Sequence, residues 1–342
     1  PCAGNAGMKC GTDGGRAFGN SDATYGSIDN PIHIGSSGTG GAEPGGKGPN
    51  GGAAISLSLS GALTINGTLS ANGNAGRNTC ASAGSGSGGS INIVAATLAG
   101  TTGSIEAEGG ASGCNMGAGG GGRISLNGVV TDNYTGSISA NSYYDNPDSF
   151  PLRGHAGTIY LNAAKRSSWT IASGQTYRLG SDGVNNYNFG DITVQSGGTL
   201  EIDGDEYLNS GNGGAATINA ANISIDSGGY LKADGLGFVK AKGPGYSGTE
   251  YSGGSHGGVG GNGGASYGAT SSPNPVYLGS GGNAGAGGGA LILNISNTFT
   301  NAGTTSANGV GNVNGNGAGG TINIIASTFN CSSGTITANG GV

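Results

Sequence analysis

Apolar and polar residues alternate along much of this chain, in short runs bounded by glycine. The clearest runs are Ser90-Ile91-Asn92-Ile93 and Thr321-Ile322-Asn323-Ile324. Each follows a Gly-Gly pair and precedes, by about a dozen residues, a Gly-(Ser/Thr)-Ile-x-Ala phrase. Alternation of period two is typical of strands with one buried face. The pattern therefore predicts many short β-strands separated by glycine turns.

The pattern recurs at a nearly regular spacing. A first isoleucine or leucine marks each copy, and most spacings between markers fall between 31 and 36 residues: Ile55, Ile91, Ile124, Ile159, Ile192, Ile218, Leu291 and Ile322. Repeats of this length, without helical periodicity between them, indicate one small unit stacked on itself. The sequence thus predicts an all-β protein, a parallel β-solenoid (β-helix) with rungs of about 31–36 residues.

We interpret the chain as a single solenoid domain with internal subdivisions. These are a glycine-rich lead-in, regular rungs, a glycine-rich insertion, and C-terminal rungs that duplicate residues 54–110: 1–50, 51–235, 236–289 and 290–342 of 1–342. The insertion has too few apolar residues for strands. It is predicted to be either a long flexible loop or a set of polyproline-II-like glycine strands packed on the solenoid.

A larger duplication overlies the small repeat. Ala54–Gly73 aligns without a gap with Ala290–Gly309, and a similar lead-in precedes each copy, beginning at Tyr25 and at Tyr267. The opening Pro1-Cys2-Ala3-Gly4 also resembles the passage that would continue the last repeat after Val342. We therefore expect one chain to be a segment that other copies can extend end to end.

Alternation also assigns the faces of the predicted strands. The alanine of each Ala-x-Gly phrase shares its face with the preceding apolar residue and is expected to point inward: Ala71, Ala107, Ala140, Ala233, Ala307 and Ala338. Its Ser, Thr and Asn neighbours then form a polar ladder. This ladder is either a solvated face with hydrogen bonds between rungs or a surface that binds a regular glycan lattice or ice.

Composition excludes two classes of function. Glycine supplies 81 of 342 residues, charged residues only 9%, and the net charge is −6 without any basic run. Nucleic-acid affinity depends on neutralising phosphates, so DNA or RNA binding is excluded as a main function. No apolar stretch approaches the roughly 20 residues that a membrane-spanning helix needs. We expect no membrane span.

Five cysteines are present, none in a Cys-x-x-Cys pair, which argues against zinc. Comparable positions in consecutive rungs favour a Cys80–Cys114 disulfide, and proximity in sequence favours Cys2–Cys10. Cys331 then remains for a bond to another molecule, or as a buried or free thiol. Disulfides indicate an extracellular location.

Candidate chemistry is sparse. Asp203 and Asp205 lie in the densest acidic cluster, which is either an exposed turn without metal or a calcium site. The three histidines, His33, His155 and His256, are isolated and are expected at the surface or as caps. No cofactor motif is complete, and calcium is the one cofactor that these residues suggest.

The Gly-Thr-Ile-x-Ala-Asn-Gly phrases, the Gly-Gly-(Ser/Thr)-Ile-Asn-Ile phrases and residues 232–238 resemble the glycine-rich β-solenoid repeats of large secreted bacterial surface proteins, the adhesin and filamentous-haemagglutinin-like class. The resemblance implies an extracellular or cell-surface protein. It leaves the activity open, because solenoids serve adhesion, scaffolding and catalysis alike.

These observations favour a structural, non-enzymatic protein that assembles head to tail with itself into a filament or surface layer. One alternative is an adhesin or receptor-binding module, in which tyrosine-rich loops contact a glycan or another cell-surface ligand: Tyr143-Tyr144, Tyr187 and Tyr246–Tyr251. A second is a polysaccharide-active solenoid enzyme that uses the carboxylates of Asp203 and Asp205.

Overall fold

The predicted solenoid is confirmed. The structure, a computed structural model, shows an all-β parallel β-solenoid of about eight turns. It describes eight segments of the chain: residues 24–38, 48–76, 84–111, 117–142, 153–181, 186–268, 274–311 and 313–342. The chain divides into two compact units, 1–166 with 178–182, and 167–177 with 183–342. No helix in the described segments is long and apolar enough to cross a bilayer.

The first unit holds two parallel sheets. Its elements are β1 (Ala54–Ser58), β2 (Ala62–Thr64), β3 (Thr68–Ser70), β4 (Ser90–Gly100), β5 (Ser104–Glu106), β6 (Arg123–Tyr134), β7 (Ser137–Ser139) and β8 (Thr158–Tyr160), followed by the short helix α1 (Ala163–Ser167) at its boundary. One sheet has the order β1-β4-β6-β8, with β2 also paired to β4, and the other has the order β3-β5-β7. Neighbouring strands in a sheet therefore come from successive turns.

The second unit repeats this plan. Its elements are β9 (Ser168–Ile171), β10 (Thr176–Leu179, which crosses the boundary), β11 (Tyr187–Asn188), β12 (Asp191–Val194), β13 (Thr199–Ile202), β14 (Gly204–Asp205), a 3₁₀ turn (Asn209–Gly211), β15 (Gly214–Ala215), β16 (Thr217–Ile225), β17 (Tyr230–Lys232), β18 (Ala290–Asn301), β19 (Thr304–Ser306), β20 (Thr321–Asn330) and β21 (Thr335–Thr337). The parallel sheets have the orders β9-β12-β16-β18-β20 and β10-β13-β17-β19-β21, and β14 pairs with β15 antiparallel.

In the first unit, the register of the sheets follows the sequence markers. Ile55, Ile91, Ile124 and Ile159 lie opposite one another on successive strands. Ile91 and Ile124 are completely buried. The core is thus a stack of apolar side chains of the same type, each shielded from water by the turns above and below it.

In the second unit the markers were partly wrong. Leu291 does lie opposite Ile322. Ile218, however, lies opposite Leu293 on one side and Tyr187 on the other, rather than opposite the markers Leu291 and Ile192. An aromatic residue on the two-residue strand β11 fills the position at which the pattern required an aliphatic one.

The inward alanines are confirmed in five turns. Ala71, Ala107, Ala140, Ala233 and Ala307 are all buried, with at most 2% of their surface exposed. A methyl group fills this corner because the strand leaves the sheet here and meets the glycine tracts. The sixth alanine, Ala338, is exposed.

Glycine tracts of the first unit lie beside the sheets and bond to one another through their backbones. Gly52 N–H donates to the Ser87 carbonyl (2.8 Å), and Gly88 N–H donates to the Gly120 carbonyl (2.9 Å). A Cβ atom at Gly119 would lie inside van der Waals contact with the Gly86 carbonyl oxygen. Glycine is therefore required here by the close approach of two backbones.

The described part of the insertion, 236–268 and 274–289, forms the same kind of bundle in the second unit. Gly237 N–H donates to the Gly287 carbonyl and Gly254 N–H to the Asn316 carbonyl, both at 2.8 Å. Ser252, Ser255 and Leu278 have no exposed surface. The described part of the insertion is thus held by backbone hydrogen bonds, although it contains no β-strand.

Candidate functional site: the open edge of the last turn

The last turn, residues 319–342, exposes apolar side chains that earlier turns bury. Phe299 on β18 has no exposed surface, whereas Phe329, directly opposite it on β20, is 54% exposed. The two rings stack with their centroids 5.5 Å apart. Leu293 is fully buried, but its neighbour Ile324 is partly exposed. The outer side of β20 is thus an uncovered cross-section of the core.

The first turn, β1–β3, has a similar exposure. Leu63 and Leu69 are partly exposed, whereas their partners in the next turn, Leu98 and Ile105, are fully buried. No described strand pairs with the outer edge of β1 or of β20. The first and last turns therefore both have unpaired strand edges among the described residues.

Backbone groups of the last turn lack partners that earlier turns have. In five turns the inward alanine's carbonyl accepts a hydrogen bond from a glycine N–H that precedes the next strand, at 2.7–2.8 Å: Gly89 to Ala71, Gly122 to Ala107, Gly157 to Ala140, Gly289 to Ala233, and Gly320 to Ala307. No described residue donates to the Ala338 carbonyl. This carbonyl is the next acceptor in the series.

An asparagine or aspartate side chain makes a second contact between turns. Asn72 Oδ1 accepts from the backbone N–H of Glu108 (2.7 Å), and Asp234 Oδ1 accepts from that of Asn308 (2.6 Å). Asn308 Oδ1 in turn accepts from Asn339 N–H (2.8 Å). Asn339, in the same position, is exposed on the last turn. The polar ladder is thus a system of hydrogen bonds between rungs, and it ends with an acceptor.

A groove of about 550 Å³ lies along this edge. One wall is formed by residues 267–268 and 274–278, two segments that precede β18 in the chain. We call them the second strap, because a similar segment, described below, occurs in the first unit. The other sides are formed by residues 254–260, by 318–322, and by Ala338 and Gly340. The Tyr267 hydroxyl donates to the Leu278 carbonyl and so holds the strap in a bend. Burial raises the pKa of this hydroxyl, so Tyr267 remains a neutral donor.

His256 lies beside the same groove. Its ring is 5.1 Å from the ring of Tyr267, and its Nδ1 is 3.1 Å from the Gly319 carbonyl oxygen. Burial lowers the pKa of His256, and its hydrogen bonds to the backbone of Gly319 and Gly320 oppose that shift. The groove therefore combines aromatic walls, a polar backbone edge and no charged side chain among its described lining residues.

A matching strap occurs in the first unit, residues 24–34, which we call the first strap. The Tyr25 hydroxyl donates to the Ile34 carbonyl (2.6 Å), as Tyr267 does to Leu278. The lead-in duplication seen in the sequence thus corresponds to two similar folded segments. What the sequence did not indicate is that the second one borders an open strand edge. Only folding brings Tyr267 close to Ala338.

The acidic candidates lie elsewhere and differ from expectation. Asp203 and Asp205 were expected in an exposed turn, but they are 2% and 0% exposed. They flank the start of β14, and Asp205 Oδ1 accepts from Tyr207 N–H (2.9 Å). The described residues contain no group of three or more His, Cys, Asp or Glu side chains placed to hold a metal ion. An enzyme acting on polysaccharide would also need accessible carboxylates, and these two are enclosed.

The other candidates are divided. Cys2, Cys10, Cys80, Cys114 and Tyr143-Tyr144 lie outside the described residues. Cys331 is partly exposed on the last turn and forms no disulfide with a described residue; its Sγ is 3.5 Å from the Gly334 carbonyl oxygen. Among the proposed ligand-contacting tyrosines, Tyr187 is buried, Tyr246 is partly exposed and Tyr251 is 64% exposed. His155 is buried, contrary to the prediction of a surface histidine.

Comparison with known proteins identifies no relative: no family model, curated protein or solved structure matches this chain.

Proposed function

We propose that this protein is a structural subunit that associates end to end with other copies of itself, forming an extracellular filament or surface layer. One observation carries the proposal. The last turn presents, uncovered, the apolar side chains and backbone acceptors that every comparable earlier turn satisfies with the turn that follows it. What covers those earlier turns is another turn of the same repeat.

Physical chemistry supports self-association at this edge. An unpaired strand edge is a template for pairing with another chain, and proteins that stay monomeric usually block such edges with charge, proline or a covering segment. The described last turn has no charged residue, and Phe329 and Ile325 are both more than half exposed. Contacts between different surfaces of identical copies, when the rotation does not close, generate open fibres.

The extracellular location belongs to the same proposal. It is supported by five cysteines in a chain with no metal-type spacing, which favours an oxidising compartment. The low content of lysine and arginine, 12 of 342 residues, is compatible with a scaffold that binds neither nucleic acid nor an anionic surface.

The test is the assembly state of the purified chain of residues 1–342, which is followed by sedimentation and negative-stain electron microscopy. We expect unbranched filaments or sheets from the unaltered chain. Ala338→Pro removes an N–H whose counterparts at Ala71, Ala107 and Ala307 donate to the following turn. It is expected to abolish assembly without breaking a bond inside the chain, as is Phe329→Asp, which places a charge on the exposed core.

The matched control is Val130→Asp. Val130 is 75% exposed on β6, an interior strand. The substitution therefore replaces an exposed apolar residue by aspartate, as Phe329→Asp does, but away from the proposed contact. Circular dichroism melting checks that all variants remain folded. If the unaltered chain stays monomeric at every concentration, the proposed function is wrong. It is also wrong if both edge variants assemble as well as the control does.

A further inference from the structure

The first strap shows how such a segment binds two neighbouring strands when both are present. It lies across two successive turns. On β4, the Asn92 side-chain amide donates to Asn30 Oδ1 (2.7 Å). On β6, the following turn, Arg123 Nε donates to the Tyr25 carbonyl (2.9 Å). The strap thus carries acceptors for a turn and for the turn that comes after it.

The second strap packs against Ala290 and Ile292 of β18 through Leu278 and Tyr267, and it accepts side-chain hydrogen bonds from β20. Thr321 Oγ1 donates to the Tyr277 carbonyl (2.7 Å), and Asn323 Nδ2 donates to the Pro275 carbonyl (3.2 Å). Residues 88–110 align without a gap with 319–341, so β20 corresponds to β4. The place that corresponds to β6 is the 550 Å³ groove.

The backbone carbonyls at the edge of the groove determine which residues an incoming strand needs. In the first unit, Gly122 N–H donates to the Ala107 carbonyl and Arg123 N–H donates to the Gly89 carbonyl. The corresponding acceptors beside the groove are the carbonyls of Ala338 and Gly320. A Cβ atom at Gly122 would overlap the Gly89 carbonyl oxygen, so the incoming residue at this position has to be glycine.

The residue after that glycine is the second requirement. Arg123 is 1% exposed, and its guanidinium reaches from β6 to the Tyr25 carbonyl of the first strap. Beside the groove, Tyr267 of the second strap occupies the position of Tyr25. An arginine after the glycine pair is therefore the side chain that fits beside Tyr267. Its guanidinium would donate a strong charge-assisted hydrogen bond to the Tyr267 carbonyl.

The sequence Gly-Gly-Arg occurs twice in this chain, at Gly121-Gly122-Arg123 and at Gly14-Gly15-Arg16. The strand β1 fits less well, because Ala53 occupies the position that must be glycine: Ala54 pairs with Ser90, and Ser90 pairs with Arg123. We propose that the groove receives Gly14-Gly15-Arg16 of a second copy, which adds the missing strand beside β20. This inference rests on the proposed end-to-end association and identifies its contact.

A peptide of residues 12–20, which contains no cysteine, tests the contact directly. A fluorescent form is titrated with the full chain, and its anisotropy gives the affinity. Gly15→Ala introduces a Cβ against the Gly320 carbonyl, and Arg16→Gln removes the guanidinium. Each peptide variant is expected to bind at least about tenfold more weakly, the effect of one lost charged or backbone hydrogen bond.

The place of binding is tested with a photoreactive benzoylphenylalanine in place of Phe18. Mass spectrometry is expected to find cross-links to residues 254–260, 267–268 or 275–277, which border the groove. Cross-links confined to the first unit, or spread over the whole chain, overturn the assignment. Equal affinity of the unaltered, Gly15→Ala and Arg16→Gln peptides overturns it as well.

The same substitutions in the full chain separate this inference from the proposed function. Arg16→Gln and Gly15→Ala are expected to abolish filaments, whereas Lys242→Gln, an exposed residue with the same loss of charge, is expected to leave them unchanged. If all three variants still form filaments and the peptide does not bind, end-to-end association stands and the segment assignment is wrong. If the peptide binds in the groove but the unaltered chain forms no filaments, the proposed function is wrong and the groove assignment stands.

Discussion

Many glycines in this chain cannot be replaced because another backbone occupies the space of a side chain. Gly122 is one example: its N–H donates to the Ala107 carbonyl, and a Cβ would overlap the Gly89 carbonyl oxygen. Gly61 is a contrasting case, since a Cβ there would meet no atom within 4 Å. Glycine content alone does not distinguish the two positions.

Gly122→Ala is therefore expected to destabilise the fold by about 1–3 kcal/mol, the usual cost of forcing a methyl group into a packed site. Gly61→Ala is expected to be neutral or to stabilise slightly, because it restricts the unfolded chain without a clash. The measurement is the thermal melting temperature by circular dichroism for both variants. Equal melting temperatures would show that the glycine bundle tolerates side chains and that the close approach at Gly122 is not required.

At the scale of the strands, a row of asparagines links three successive turns of the second unit. Asn219 Nδ2 donates to Asn188 Oδ1 (2.8 Å), and Asn219 Oδ1 accepts from Asn294 Nδ2 (3.2 Å). Parallel in-register strands place identical side chains at hydrogen-bonding distance, so each amide both donates and accepts. The residue opposite Asn294 on β20 is Ile325, and the row ends there.

Asn219→Ala removes both bonds of this row and is expected to cost about 1–2 kcal/mol, from roughly 0.5–1.5 kcal/mol per hydrogen bond. The matched control is Asn297→Ala on β18, because Asn297 is exposed and its side chain has no hydrogen bond to a described residue. Urea unfolding of both variants gives the comparison. A control that loses as much stability as Asn219→Ala would contradict a special role for the row.

The strands show how far sequence reasoning could go. Alternation and repeat length predicted β4, β6, β18 and β20, because aliphatic residues alternate with polar ones along the first half of each strand. They misplaced the register around β11, where Tyr187 takes an aliphatic position. The groove was beyond prediction for a different reason: Tyr267 and Ala338 are 71 residues apart in the sequence, and no local pattern reports that an unpaired edge and a strap meet.

At the scale of the whole molecule, the open edge links the stability of the last turn to assembly with other copies. Within a repeat protein each turn is stabilised mainly by its neighbours, so a terminal turn without a partner is the least stable one. Adding a second copy there extends the existing pattern of hydrogen bonds and buried side chains, with no new kind of contact. Stability of the last turn is therefore expected to depend on protein concentration.

Cys331 offers a covalent test of this assembly. It follows β20 directly, is partly exposed, and has no disulfide partner among the described residues. An incoming copy brings cysteines of its own, and a disulfide can form if the Cα atoms of two cysteines come within about 4.4–6.8 Å.

We expect filaments formed under oxidising conditions to run as a series of multimers on a non-reducing gel and as monomers after reduction. Cys331→Ser is expected to lose the multimer bands but keep the filaments in the electron microscope, because the strand contacts remain. Monomer bands alone from intact, oxidised filaments would show that association is entirely non-covalent.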